Sequence, residues 1–200
     1  MPRLVIGVTG TFGSGKSTVS QLFKKYGARA VISADVIAQE AYQDRAIQTK
    51  LKKIFGFRTH LNRAAIAKEV FSDGRKRKLL EALIHPFVRK KIQKELAALQ
   101  DRVAIVEVPL LFETGFEQFC DVTVAVTAPQ PQIEKRLTKQ GFLKSEIRAR
   151  QSAQLSQTEK CRLADFVIRN SGSKEELREQ VMRLMEKIVF QNSSLNKGVK

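Results

Sequence analysis

A parallel α/β fold is the class that the sequence predicts, and three observations predict it. Short apolar runs at residues 4–8, 30–32, 103–108, 122–126 and 166–168 are separated by stretches of helical periodicity. These runs are nearly continuous rather than alternating, as expected of strands buried on both faces. The first passes through a glycine-rich turn directly into a helix. Each strand-helix-strand succession needs a crossover, so the strands lie parallel.

In chain order, the run 4–8 ends in Thr9 and Gly10. From Lys16 the residues Val19, Leu22 and Phe23 recur at helical spacing, up to a helix stop at Gly27. Residues 30–32 form a second short strand. Between 35 and 100 the pattern is helical almost throughout; Asn62 and Ser72 suit N-caps, and Pro86 predicts a break after His85. After the strands at 103–108 and 122–126, Pro131 suits the first turn of a helix carrying Ile133, Arg136 and Leu137. Ser156 with Glu159, and Ser173 with Glu176, spell two capping boxes on either side of the strand at 166–168, so the last helix starts near Lys174. The polar stretch 192–200 lacks periodicity and predicts a flexible tail after a single domain of residues 1–191.

The chain has 200 residues, with 36 Lys and Arg against 20 Asp and Glu, a formal charge of +16. That excess asks for an anionic partner: nucleic acid, an acidic membrane surface or a polyphosphate. The longest apolar stretch, 103–112, is interrupted by Glu107 and Pro109 and is about half a membrane span. Cys120 and Cys161 stand apart, and with His60 and His85 they do not make the usual four-ligand zinc site. A soluble protein of the reducing cytoplasm, with no membrane partner, fits this composition. A basic ATP-dependent nucleic-acid binder is the competing class. It lacks a recognition fold here, since there is no Trp, no zinc-finger pattern and no interleaving of aromatic with basic residues.

The sharpest motif is Gly10-Thr11-Phe12-Gly13-Ser14-Gly15-Lys16-Ser17, a phosphate-binding loop lying between a strand and a helix. Glycines at Gly13 and Gly15 let consecutive backbone N–H groups, Ser14 included, face one anion, and the helix beginning near Thr18 adds its positive end. Lys16 reaches the β- and γ-phosphates of ATP or GTP, and the Ser17 hydroxyl is placed to bind Mg²⁺. The Asn-Lys-x-Asp sequence that reads guanine in GTPases is absent. A small-molecule kinase then needs a general base and cations that neutralise the transferring phosphoryl group.

Asp35, just after the second strand, could accept the proton of an acceptor hydroxyl; it equally suits an N-cap for residues 36–41. Glu107, at the end of the third strand, is placed to hold the Mg²⁺ shell through water. Arg136, Lys139, Lys144, Arg148 and Arg150 lie on two helices separated by Gly141 and Phe142, which reads as a hinged basic hairpin able to close on phosphates. The plain alternative is a solvated helix face.

Taken together, the constellation resembles the dephospho-CoA kinase family from about Leu4 to Met185. The segments that carry the resemblance are 6–17, Ala34-Asp35-Val36-Ile37-Ala38, Leu61-Asn62-Arg63-Ala64-Ala65, 83–89 around His85-Pro86, Val108-Pro109-Leu110-Leu111-Phe112-Glu113, and 150–154 followed by Ala164-Asp165. The resemblance implies transfer of the ATP γ-phosphoryl group to the ribose 3′-hydroxyl of dephospho-CoA, with Mg²⁺ required and Asp35 as base. It implies a P-loop NTPase-type sheet of five parallel strands with helices on both faces. The core would cover 1–43 and 101–191, with a helical acceptor-binding insertion at about 44–100 and a mobile lid at about 138–154. His85, Pro109, Leu110 and Glu113 would line the acceptor side. Arg136 and Arg150 would face the ATP phosphates, and Asn170 would lie near the adenine. Two positions depart from the family pattern: Ser33 stands where an aspartate is common, and Gln140 where a lid arginine is common, a charge that Lys139 or Lys144 would replace. A kinase for another nucleoside-like alcohol shares the loop and the base, but not the whole ordered set.

Overall fold

The computed structural model describes residues 4–58, 60–99 and 102–195. Strands β1 (Leu4–Thr9), β2 (Ala30–Ser33), β3 (Val103–Glu107), β4 (Val122–Thr127) and β5 (Phe166–Arg169) form one sheet in the order β2-β3-β1-β4-β5. Every neighbouring pair is parallel. The register sets Glu107 beside Val8 on one flank and Ser33 on the other. All strand C-termini therefore share one edge, the edge from which the Gly10–Ser17 loop leaves β1.

Contact density divides the chain into two compact units, residues 1–33 with 96–200, and residues 34–95. In the first, α1 (Lys16–Lys25) and α9 (Lys174–Leu195) cover one face of the sheet. Leu4, Ile6, Val8, Ile105, Val124, Val126 and Ile168 meet Val19 and Phe23 of α1 and Val181, Met185 and Ile188 of α9 in one buried cluster. A second cluster joins Ala128 to Ile133 and Leu137 of α6 (Gln130–Lys139) and Ile147 of α7 (Lys144–Ser152). At the opposite edge of the sheet, Asp121 accepts from Val5 N (2.7 Å), and Asp165 accepts from both the amide and the hydroxyl of Thr123. Asp165 thus ties the starts of β4 and β5 together.

The second unit is helical: α2 (Ala34–Ala41), α3 (Arg45–Phe55), α4 (Arg63–Ser72) and α5 (Gly74–Ala97), the last crossing into the first unit. Its core is Ala41, Ile47, Leu51, Phe55, Ile66 and Ile84. This unit begins at α2, ten residues before the insertion boundary expected near 44, because Ala38, Ala41 and Tyr42 pack with the helical cluster.

Three local expectations are corrected. Ser72 is the last residue of α4 and its hydroxyl bonds back to Lys68 O and Glu69 O; Asp73 caps α5 instead, accepting from the amides of Arg75 and Lys76. The acidic residue one position on takes the cap because the serine hydroxyl is already used within its own helix. Pro86 does not end a helix, since α5 runs through it. Interior proline costs roughly 3 kcal/mol, and burial of Leu80, Leu83, Ile84, Phe87 and Val88 in the helical cluster offsets it. Finally, α9 continues through Leu195, four residues into the expected tail; residues 196–200 lie outside the described ones. The other caps are as expected: Asn62 accepts from Ala65 N (3.0 Å), and both capping boxes are formed.

Candidate active site

Apolar packing of β1 and the helix behind it places the phosphate-binding loop; its own conformation follows from glycine. Gly15 has φ 100°, a left-handed value, and a Cβ there would strike Asn170 Nδ2. That amide donates to Ser14 O (2.8 Å), and the Asn170 backbone N–H donates to Thr127 O (2.7 Å), so the end of β5 is bonded to β4 and to the loop. Asn170 is buried at this junction.

Arg136, in the last turn of α6, donates to Asn170 O (3.1 Å) and to Gln132 Oε1 (3.2 Å). Its Nη1 lies 4.0 Å from where a Gly15 Cβ would be. The cation is therefore held beside the helix N-terminus that an anion would occupy. Lys16 is buried, with Nζ 3.3 Å from Thr11 O across the loop. Ser14 is fully buried and its Oγ is among the few buried polar atoms without a hydrogen-bond partner among the described residues. Such an orphan is costly unless a ligand or water satisfies it.

Ser17, the second residue of α1, is exposed and donates its hydroxyl proton to Glu107 Oε1 at 2.7 Å, while Glu107 itself is buried at the end of β3. Thr18, beside it, is exposed. A hydroxyl oxygen oriented by a carboxylate is a hard-oxygen donor set, which fits Mg²⁺. The Ser17 lone pairs remain available for the ion while its hydroxyl proton points to Glu107 Oε1.

The loop after β3 is fastened from below by Lys160 of α8 (Gln157–Leu163), a residue the sequence reading passed over. Lys160 is 1% exposed and donates to Pro109 O (2.7 Å) and Glu113 Oε1 (2.7 Å). The Pro109 carbonyl also accepts from Thr9 Oγ1 (3.2 Å), and Glu113 Oε1 from Leu155 N (2.8 Å). Burial pushes the Lys160 ammonium below its usual pKa, and the Glu113 carboxylate opposes that shift. Glu113, expected on the acceptor side, is thus bonded to a buried lysine, while Pro109 and Leu110 are partly exposed on the same loop. No local signal marked Lys160: in the sequence it is one more cation on an amphipathic helix.

The hairpin cations Lys139, Lys144, Arg148 and Arg150 are all exposed, as is Gln140 at the C-cap of α6. Gly141 turns the chain between α6 and α7 with φ 90°. Arg150 sits over aromatic rings, 4.9 Å from the Phe12 centroid and 5.1 Å from that of Phe142.

In the helical unit, Asp35 is exposed in the first turn of α2, which begins at Ala34, so the carboxylate lies inside the helix rather than at its cap position. Ser33, two residues before it, closes β2. His85 is half-buried on α5, one turn from Glu81 and one from Arg89. Burial lowers its pKa; Glu81 counters this and Arg89 reinforces it.

The dephospho-CoA kinase family model matches residues 4–176. A dephospho-CoA kinase of Thermus thermophilus is 35% identical over 189 residues, 92% of each chain. That of Carboxydothermus hydrogenoformans is 38% identical over 194 residues, 92% of this chain and 93% of the relative. A solved structure from Thermus thermophilus has TM-score 0.81 at 35% identity, covering 94% of this chain and 98% of its own. The dephospho-CoA kinase of Campylobacter jejuni has TM-score 0.71 at 27% identity, covering 95% and 99%. Shikimate kinase from Acinetobacter baumannii, at 14% identity and TM-score 0.53, shares the fold. With that extent of match on a parallel sheet ending in a phosphate-binding loop, the chain belongs to the dephospho-CoA kinase family.

Proposed function

We propose that this chain transfers the γ-phosphoryl group of ATP to the ribose 3′-hydroxyl of dephospho-CoA, releasing CoA and ADP. The observation that carries the reading is the convergence of Lys16, Arg136, Asn170 and the Ser17–Glu107 pair on one phosphate-binding loop, in a chain of this family. Backbone N–H groups of Gly13, Gly15, Lys16 and Ser17 receive the β- and γ-phosphates; the Ser14 N–H, expected among them, donates instead to Thr11 O (3.1 Å) and closes the loop. Lys16, Arg136 and Arg150 offset the charge that spreads over the phosphoryl oxygens during transfer. Ser17 would hold Mg²⁺, with Glu107 keeping the hydroxyl oriented. Held there, Mg²⁺ would supply positive charge that eases the build-up of negative charge on the leaving group.

Asp35 accepts the proton of the 3′-hydroxyl as that oxygen bonds to the γ-phosphorus and the bond to the β-phosphate oxygen breaks. An exposed carboxylate two residues beyond a strand end can serve an incoming hydroxyl, and its place inside α2 leaves it unused as a cap. His85 and the Pro109, Leu110 and Glu113 loop are assigned to the acceptor; for Glu113 the role is to hold the loop in place through Lys160. Asn170 fixes the wall of the nucleotide site near the adenine. Among the described residues no helix is long and apolar enough to cross a membrane, and Cys120 and Cys161 are free.

The test is ADP release with ATP, Mg²⁺ and a panel of dephospho-CoA, adenosine and pantetheine derivatives, with the product identified by mass. ADP release dependent on dephospho-CoA, and a product 3′-phosphorylated on its ribose, are expected; release that ignores dephospho-CoA overturns the reading.

A further inference from the structure

We propose that Phe12 is a positioning residue for phosphoryl transfer: it seats the Arg150 guanidinium beside the phosphate-binding loop and ties the α6–α7 hairpin to that loop. The proposal rests on the assignment of Arg150 to the ATP phosphates. The phosphate-binding pattern requires glycine, lysine and a hydroxyl residue but nothing in particular at position 12, so an aromatic ring there is unexplained by anion binding itself.

Its surroundings explain it. The Phe12 ring meets Phe142 edge to face, with centroids 5.2 Å apart and planes at 88°. The Arg150 guanidinium lies over both rings, at 4.9 and 5.1 Å, within the range of cation–π attraction. Both polar groups of the Phe12 peptide are taken by the same end of the hairpin. Its N–H donates to Gln154 Oε1 (2.9 Å), and its carbonyl accepts from Gln151 Nε2 (3.2 Å). Underneath, Phe12 and Phe142 pack on buried Ile133, Leu137 and Ile147. Gly13 permits this approach: at φ 83°, a Cβ would fall 2.7 Å from Leu137 Cδ1 and 2.8 Å from Ile133 Cγ2.

Two consequences follow for the chemistry. The hairpin cations are referenced to the loop through position 12, so the loop and hairpin hold one geometry. Among the described residues, the guanidinium is seated on rings rather than on a carboxylate, so its charge and N–H donors are not neutralised. An arginine already held near its working position loses less rotamer freedom when it engages phosphate.

The experiment compares kcat and KM for ATP in the wild type, Phe12→Leu, Phe12→Tyr, Phe142→Leu, Arg150→Ala and the Phe12→Leu/Arg150→Ala double variant, with thermal melts of each. Phe12→Leu is expected to lower kcat/KM for ATP about 3- to 10-fold, Phe142→Leu to do the same, and Phe12→Tyr, which keeps the ring, to stay within about twofold. The double variant should be no worse than Arg150→Ala alone, because Phe12 acts through Arg150. Additive losses, or a folded Phe12→Tyr as poor as Phe12→Leu, would overturn the proposal. NMR supplies a readout independent of turnover: upfield ring-current shifts of the Arg150 side-chain protons should shrink in Phe12→Leu and persist in Phe12→Tyr. Wild-type protein inactive toward dephospho-CoA would sink the assigned reaction, while persistent ring-current shifts would still report the seating of Arg150.

Discussion

The phosphate-binding unit and the helical unit hold their polar side chains in different ways. Around the Gly10–Ser17 loop, many polar groups are fixed by bonds to residues far away in sequence: Ser17 to Glu107, Asn170 to Ser14, Lys160 to Glu113 and Pro109, Phe12 to Gln154. In the helical unit the bonds are mostly local caps, Asp44 to Ile47 N, Asn62 to Ala65 N and Asp73 to Arg75 N, over one apolar cluster. Asp35 and His85 ride on helices held in that second way. A transferring phosphoryl group demands preset charges, which cost no reorganisation only if they are cross-bonded.

That contrast can be broken or sharpened by mutation, beginning with the largest effect. Asp35→Asn should lower kcat about 10²- to 10⁴-fold, the range for loss of a general base, with KM for ATP little changed. Lys16→Ala should instead weaken ATP binding as well as turnover. Steady-state kinetics with both substrates varied separates the two, and a nearly silent Asp35→Asn would remove the base from the helical unit altogether.

Next comes stability in the cross-bonded unit. Lys160→Met leaves Glu113 without its buried partner and should cost about 3–5 kcal/mol by urea unfolding. The Lys160→Met/Glu113→Gln pair should recover part of that loss, and equal losses in the single and double variants would mean that the ion pair is not what fastens the loop. By comparison, Asn62→Ala in the helical unit removes one cap and should cost about 1 kcal/mol, with kcat/KM for ATP unchanged.

The smallest expected effect is a pH dependence at His85. Burial lowers its folded pKa, so below the ordinary value of 6.5 the unfolded chain binds the proton more readily. Its contribution is intact above pH 6.5 and is lost as the pH falls from 6.5 through the lowered folded value. Urea midpoints at pH 7.5 and 5.5 should therefore fall less on acidification in His85→Gln than in the wild type.

Much of this was legible in the sequence where the signal is local. The five strands follow from nearly continuous apolar runs, and Asn62, Ser156 and Ser173 follow from cap chemistry within four residues. The Gly10–Ser17 loop follows from the glycines its backbone needs. Pro86 shows the limit of such reasoning, since a local rule that forbids helix was overridden by burial on both sides of it. Lys160, Gln151 and Gln154 look like ordinary solvated helix residues in the sequence, because a side chain's partner 50 or 140 positions away leaves no trace in local periodicity.

By itself, then, the sequence determined the order of strands and helices, the phosphate-binding loop with Lys16 and Ser17, and the family to which the chain belongs, all properties of contiguous residues. Only the tertiary structure decided which cations are seated and which are solvated, that Glu113 answers to Lys160, and that Phe12 links the loop to the basic hairpin. Those outcomes depend on which distant groups packing leaves within hydrogen-bond reach after water is excluded, and that is settled only when the whole unit closes around its sheet.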